Sequence, residues 1–360
     1  MSGRVTVSEV EASDDGAWAT VAFGSEEHRV GVWDLPAPPP VPADVFVLPA
    51  ALIGSYRHEA VHIDGAVSRP LLDTLPAALG RYARWFPQLA VTDLTVESTT
   101  PNPPSRSGRS ATMFSGGLDS FHTAVTHSEL DALVFVRGLD IGLDDTPVMD
   151  LAVEHIRAAA SALGRPLIEI STDMKRLMYA VNQEWGWFYY GPLAGAAFAL
   201  GGELGLVLQS ASVPDVLLTG EFAPLLETAD LSTGYTDCVR TGQEVTRPDK
   251  AREVCDNDAV RRHLRVCWQN LGDQLNCGVC EKCIRTAVGF ELAGCLCRIE
   301  TLPDTVDLAA VATLPVATRS DRWFVEENLL VAQRENRAGI ESALRAALAQ
   351  GCSDGTLELP

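Results

Sequence analysis

Met113-Phe114-Ser115-Gly116-Gly117-Leu118-Asp119-Ser120 is the stretch on which the reading of this chain turns. The small-residue run Gly108-Arg109-Ser110-Ala111-Thr112 leads into it, and the apolar pattern Phe121, Ala124, Val125 follows, which predicts strand, tight turn, helix. Two adjacent glycines let the backbone curl with several N–H groups aimed at one point. The helix that begins there turns its positive dipole end to the same point. The hydroxyls of Ser115 and Ser120 can donate there as well. Ser115, Gly116, Gly117, Leu118 and Ser120 therefore read as a phosphate cradle. Asp119 inside it would repel phosphate on its own, which makes sense if a divalent cation, Mg2+, sits between the two.

The string Ser115–Ser120 resembles the SGGxDS signature of the PP-loop ATP pyrophosphatases. That resemblance implies an adenine nucleotide α-hydrolase-like fold, ATP as the bound nucleotide, and cleavage to AMP and pyrophosphate. A G-x-x-x-x-G-K-[ST] loop is not found in the chain. The distinction decides which bond breaks, because members of the resembled family attack the α-phosphorus and leave an adenylate.

The chain has 360 residues, 46% of them hydrophobic, enough for two domains or for one domain with additions. Its 28 basic and 48 acidic residues give a net charge of −20. Such a surface opposes nucleic acid and anionic membranes, which weighs against a tRNA-modifying role. The first residues show no charged-then-apolar signal segment, and the apolar run Pro192 to Gly202 is too short to span a bilayer. The expectation is a soluble, cytoplasmic protein with no membrane partner.

Three units are expected. Residues 1–104 read as an α+β N-terminal domain: β alternation at Val5, Val7, Val10, at Trp18, Thr20, Ala22 and at Val30, Val32, then a proline-rich connector from Leu35 to Pro42. Asp44 to Ile53 fits a strand or a buried helix, Leu71 to Phe86 has helical spacing, and Leu89 to Val96 alternates. His58 and His62 lack acidic or cysteine partners and read as ordinary surface or core residues. Thr99 to Ser110 reads as a linker.

Residues 105–300 read as α/β, a parallel doubly wound sheet with helices on both faces. Strands are expected at Ala111–Phe114, Ala132–Val136, Leu167–Ile170 and Val216–Leu218. Helices are expected at Phe121–His127, Val148–Leu163 and, as one long element, from Tyr190 to Gln209. Ligands bind at the carboxyl ends of such strands. Gly138, at the end of the second, stands where such folds hold adenine by backbone groups, and Gly220-Glu221 ends the fourth. Asp140, Asp144 and Asp145 read as a solvated acidic loop.

Arg247 and Lys250 bring two cations together in an acidic protein. On a helix starting at Pro248 they could reach one site and stabilise departing pyrophosphate. Cys267, Cys277, Cys280 and Cys283 follow the spacing C-x9-C-x2-C-x2-C. That spacing reads as a closed Zn2+ site over residues 267–283, with an iron–sulfur cluster as the rival. The arrangement is similar to the zinc site of the 7-cyano-7-deazaguanine synthases, and Gly234-Tyr235-Thr236-Asp237-Cys238 is close to their GYPDC stretch, with Thr236 in place of proline. The likeness covers about 110–290. Residues 301–360 form a helical extension, with spacing from Arg322 to Gln350 that fits a packing or dimerisation helix pair and leaves a homodimer open.

These readings lead to an ATP-dependent ligase that adenylates a small-molecule carboxylate and passes it to ammonia or an amine, giving an amide or nitrile. Asp119, Arg247 and Lys250 are its candidate catalytic residues. One alternative is sulfur transfer to an adenylated carbonyl, with Cys238, Cys295 or Cys297 carrying the sulfur. The other is an ATP-binding regulator without turnover.

Overall fold

The computed structural model describes residues 3–103, 105–182, 185–213, 231–269 and 274–351. The chain opens with an antiparallel meander of β1 (Arg4–Ser13), β2 (Gly16–Phe23) and β3 (Glu26–Trp33). Val5, Val7, Ala17, Ala19, Val21, Val30 and Val32 are buried, as the alternation requires. The proline connector then delivers α1 (Asp44–Arg57). This helix is buried on nearly every face, so no polar stripe marks it in the sequence, which is why the segment could be read either way. Asp44 in its first turn accepts from Ser68 N at 2.8 Å and Ser68 Oγ at 2.5 Å. Burial nevertheless pushes its carboxyl up to about 7. β4 (Ala60–Ser68), α2 (Arg69–Trp85) and β5 (Leu94–Thr100) complete this part.

The second part runs β6 (Ser110–Met113), α3 (Leu118–Thr126), β7 (Ala132–Arg137), α4 (Thr146–Ala162), β8 (Leu167–Thr172), α5 (Lys175–Val181), α6 (Trp185–Phe188), α7 (Tyr190–Ala199), β9 (Leu206–Ser210), β10 (Leu231–Ser232) and β11 (Asp237–Thr241). Then come α8 (Arg247–Val254), α9 (Asp258–His263), α10 (Glu281–Leu292), α11 (Leu308–Ala312), α12 (Arg319–Arg334) and α13 (Ala338–Gly351).

Among the described residues all the strands join one mixed, mostly parallel sheet of eleven, in the order β10-β11-β9-β6-β7-β8-β3-β2-β1-β4-β5. The stretch β11-β9-β6-β7-β8 is parallel throughout, and chain order reverses between β6 and β9. Such a reversal opens a crevice at the carboxyl ends of the two strands. The Ser115–Ser120 turn leaves β6 at that end. The N-terminal strands continue the same sheet through β3, which pairs antiparallel with β8 at Val32–Thr172 and Trp33–Ser171. One apolar cluster runs from Val5 and Phe46 to Val134, Trp187 and Val207, a second packs around Phe114, Phe121, Ile156 and Phe290, and a third joins α10 to α11, α12 and α13. The expected C-terminal helix pair is present as α12 and α13.

The long helix expected from Tyr190 to Gln209 is corrected. α7 ends at Ala199, and Leu206–Ser210 is β9, between β6 and β11. Gly205 permits the change, since a Cβ there would lie 2.0 Å from Ser107 O. Leu206-Val207-Leu208 is a short apolar run in a central parallel strand, where periodicity alone cannot separate strand from helix. The expected strand Val216–Leu218 and the Gly220-Glu221 turn lie outside the described residues. Among the described residues no helix is long and apolar enough to cross a membrane.

Candidate functional site

The glycine turn is built by close packing. Gly116 has φ +74°, and a Cβ on it would stand 3.0 Å from Ile156 Cδ1. Its carbonyl accepts from Arg265 N at 2.8 Å, which ties the segment after α9 to the turn. Gly117 caps α3 with extended backbone and no side chain, so the first-turn N–H groups of this helix are left without a side-chain cap. Leu118 is buried and anchors the helix start. The Ser120 hydroxyl donates to Gly117 O at 3.0 Å, so it braces the turn, while Ser115 is half-buried.

Asp119 is where two helices meet. Its Oδ1 accepts from Lys250 Nζ at 3.1 Å and its Oδ2 accepts from Arg247 Nη1. Both cations come from the first turn of α8, whose start is set by Thr246, accepting from Asp249 N, and by Pro248. Lys250 is 1% exposed and also donates to Ala211 O at 2.6 Å. Burial pushes the Asp119 carboxyl up, but Arg247, Lys250 and Arg285 together hold it below the ordinary aspartate range.

The structure adds residues that the sequence did not flag. Glu327 of α12 is fully buried; its Oε1 accepts from Arg247 N at 2.5 Å and its Oε2 has no partner among the described residues. Burial pushes its carboxyl up to about 7, against the pull of Arg247. Phe324, one turn earlier, carries Arg285 on its face at 3.5 Å from Cζ to ring centroid, with Arg247 at 5.8 Å. Burial, then the neighbouring Arg247, lowers Arg285 to about 10. Lys282 is half-buried, and burial lowers its amino group while exposed Asp140 opposes the shift. Asp140 acts on Arg265 in the same direction. Asp144 and Asp145 are exposed, in keeping with a solvated loop. Only the placement of Arg285 and Lys282 just after a metal-like cysteine could have marked them in advance.

The four expected thiols come together. Cys267, Cys277, Cys280 and Cys283 have their sulfurs within 4.8 Å of one another, with Cys277–Cys283 at 3.9 Å and Cys267–Cys280 at 4.0 Å. A zinc–sulfur distance of about 2.3 Å sets the edges of a sulfur tetrahedron at about 3.8 Å, so this set could hold a metal such as zinc. Asn276, 4% exposed, braces it: Oδ1 accepts from Val266 N at 2.8 Å and Cys267 N at 3.1 Å, and Nδ2 donates to Leu264 O at 2.9 Å and Thr301 O at 3.0 Å. Cys280 is the N-cap position of α10, so the thiol cluster fixes the start of the helix that carries Lys282 and Arg285.

Other expected positions have structural work. Gly138 ends β7 with φ +91°, and a Cβ there would meet Thr172 O at 1.9 Å, so glycine is required by the approach of β8. The turn Gly234–Asp237 is pinned by Thr233 Oγ1, which accepts from Thr236 N at 3.1 Å, and by the Asp237–Arg106 ion pair at 2.5 Å. Cys238 is buried in the core and Cys295 is buried beside Cys255, while Cys297 is exposed. His62, expected to lack an acidic partner, is corrected in that respect: it bonds Asp64 at 3.1 Å, as well as Thr95 Oγ1 at 2.8 Å, but lies outside any thiol or carboxylate cluster of metal-binding form among the described residues.

Compared with known protein families, with curated proteins and with solved structures, the chain finds no match.

Proposed function

We propose that this chain is an ATP-dependent ligase of the PP-loop type, forming AMP and pyrophosphate as it activates a small carboxylate. The observation that carries the reading is the Asp119–Arg247–Lys250 cluster at the uncapped start of α3. The buried Lys250, the half-buried Arg247 and helix N–H groups without a side-chain cap converge where the sheet reverses order, an arrangement suited to a polyanion such as the phosphates of a nucleotide.

A carboxylate is a poor electrophile because oxide would have to leave. Attack of its oxygen on the α-phosphorus of ATP forms a carboxylate–phosphorus bond and expels pyrophosphate, after which AMP is the leaving group. The first-turn N–H groups of α3 hold phosphate oxygens. Arg247 and Lys250 neutralise charge that builds on the departing pyrophosphate, and the low exposure of both makes that stabilisation stronger than in water. Mg2+ bound with the nucleotide supplies further charge neutralisation, and Asp119 keeps lone pairs for it beside its two cation bonds. Glu327 holds the Arg247 backbone in place from α12. The four-thiol site bears on structure in this scheme, and the nitrogen donor is ammonia or an amine.

The likeness of Ser115–Ser120 and of the cysteine spacing to PP-loop enzymes supports the same reading. The burial of Cys238 and Cys295 disfavours sulfur transfer through either. ATP–pyrophosphate exchange against a panel of small carboxylic acids, deazapurine acids included, tests the proposal with Mg2+ present. Exchange that depends on one acid is the expected result. Silence across the panel by a chain that still binds ATP refutes it and favours a regulator.

A further inference from the structure

The geometry points to a second oxyanion-binding subsite beside the Asp119 cluster, made by Arg285 with Arg247 on the Phe324 ring and completed by the C-terminal helix α12. It rests on the reading above for the identity of its ligand, a phosphate group of the nucleotide or the carboxylate of the acid to be activated.

Three observations carry it. Arg285 is only 9% exposed, yet its guanidinium makes no hydrogen bond or ion pair with any described residue, and its Nε is buried without a partner. A cation taken from water without a hydrogen-bonded partner is costly even with carboxylates near it, and proteins otherwise pair such groups or leave them at the surface. Second, the guanidinium is held in place: its Cζ sits 3.5 Å from the Phe324 centroid, on a helix whose start is set by the thiol cluster. A planar fork fixed on an aromatic face suits bidentate capture of a carboxylate or phosphate. Third, the nearby carboxylates Glu281, Asp119 and Glu327 act on Arg285 through space, but none of them bonds its guanidinium. Asp119 receives Arg247 and Lys250, and Glu327 turns one oxygen to Arg247 N at 2.5 Å while leaving Arg285 unpaired. Arg247 lies 5.8 Å from the same ring, so an oxyanion on the Phe324 edge would meet both guanidiniums. α12, in the C-terminal extension, thus supplies the ring and the carboxylate that position both arginines.

The test uses the full chain with its metal, as Arg285→Met, Arg285→Lys and Phe324→Leu. Circular dichroism and metal content establish that each variant folds. Calorimetric titration with inorganic pyrophosphate and with ATP needs no turnover and so reads the subsite apart from the ligase reaction. The expected result is a loss in R285M of roughly thirtyfold in affinity, the size of one charge-assisted hydrogen bond, with R285K recovering part of it. If pyrophosphate and ATP bind unchanged while the KM for the acid in the exchange assay rises by that factor, the ligand is the carboxylate. Phe324→Leu keeps the charge and loses the platform, so an intermediate loss is expected even where R285M does not fold. Folded variants with unchanged pyrophosphate affinity, ATP affinity and acid KM overturn the subsite. A wild-type chain that binds pyrophosphate through Arg285 but exchanges it with no acid leaves the subsite standing and removes the ligase.

Discussion

Asp119→Asn is the sharpest perturbation of the site, because one carboxylate serves two cations that have almost no access to water. The side chains of Arg247 and Lys250 are 11% and 2% exposed, and among the described residues Lys250 keeps only Ala211 O as an alternative partner. Removing one partner of a buried ion pair costs about 3–5 kcal/mol, since the remaining charge stays desolvated. With an unfolding entropy of about 2.1 cal/mol/K per residue, that cost lowers the midpoint of a chain this long by about 4–7 °C. The pH dependence has a definite sign. The folded carboxyl lies below its ordinary value, so its stabilisation is complete above the unfolded value of about 3.9 and fades as pH falls through the lower folded value. Wild type and D119N should therefore differ fully at pH 7 and converge in acid. Differential scanning calorimetry across pH 3 to 8, without divalent cation, reads both effects. Added pyrophosphate should raise the D119N midpoint more than that of wild type, because it replaces the lost negative charge. A D119N midpoint within 1 °C of wild type at pH 7 would refute the coupling of this carboxylate to its cations.

Glu327→Gln should behave oppositely. Its folded value of about 7 lies above the unfolded value, so its favourable contribution is complete below about pH 4.5 and is lost as pH rises to 7. E327Q should gain stability on wild type between pH 5 and 8, by up to about 3 kcal/mol for a shift of this size, and a pH-independent difference in urea titrations would contradict it. Metal analysis should find one zinc per chain, and Cys280→Ser should lose it together with the fixed start of α10, read as hydrogen exchange across residues 264–302; full protection without metal would argue against a folding role for the thiol cluster. Gly138→Ala should destabilise by about 3 kcal/mol or more, since the clash with Thr172 O involves backbone on both sides; a midpoint close to wild type would show that β7 and β8 can separate at no cost.

Much of the site was legible in sequence because its chemistry is local. Met113–Ser120 carries a strand end, its own turn, glycines and helix start, so strand, loop and helix follow from eight contiguous residues. Arg247 and Lys250 were legible because they stand three residues apart, with Pro248 marking the helix start, while the Thr246 cap appeared only in the structure. The cysteines were legible because Cys-x-x-Cys turns bring thiols together whatever the rest of the fold does. β9 was not, since a short apolar run after Gly205 has no periodicity that separates a buried strand from a helix.

The sequence by itself determined the polar chemistry within a few residues of each turn: a glycine turn opening a helix, a cation pair and a thiol quartet, each set by backbone geometry over short spans. Only the tertiary structure decided what those pieces share. The pairing of β3 with β8 that draws the N-terminal strands into one sheet, the meeting of Asp119 with α8, and the arrival of Phe324 and Glu327 beside Arg247 and Arg285 all join residues far apart in the chain. Their physical basis is the burial of apolar faces between elements, and burial is also what makes the charges at the site matter, because only out of water does a single unpaired arginine or carboxylate carry a large cost.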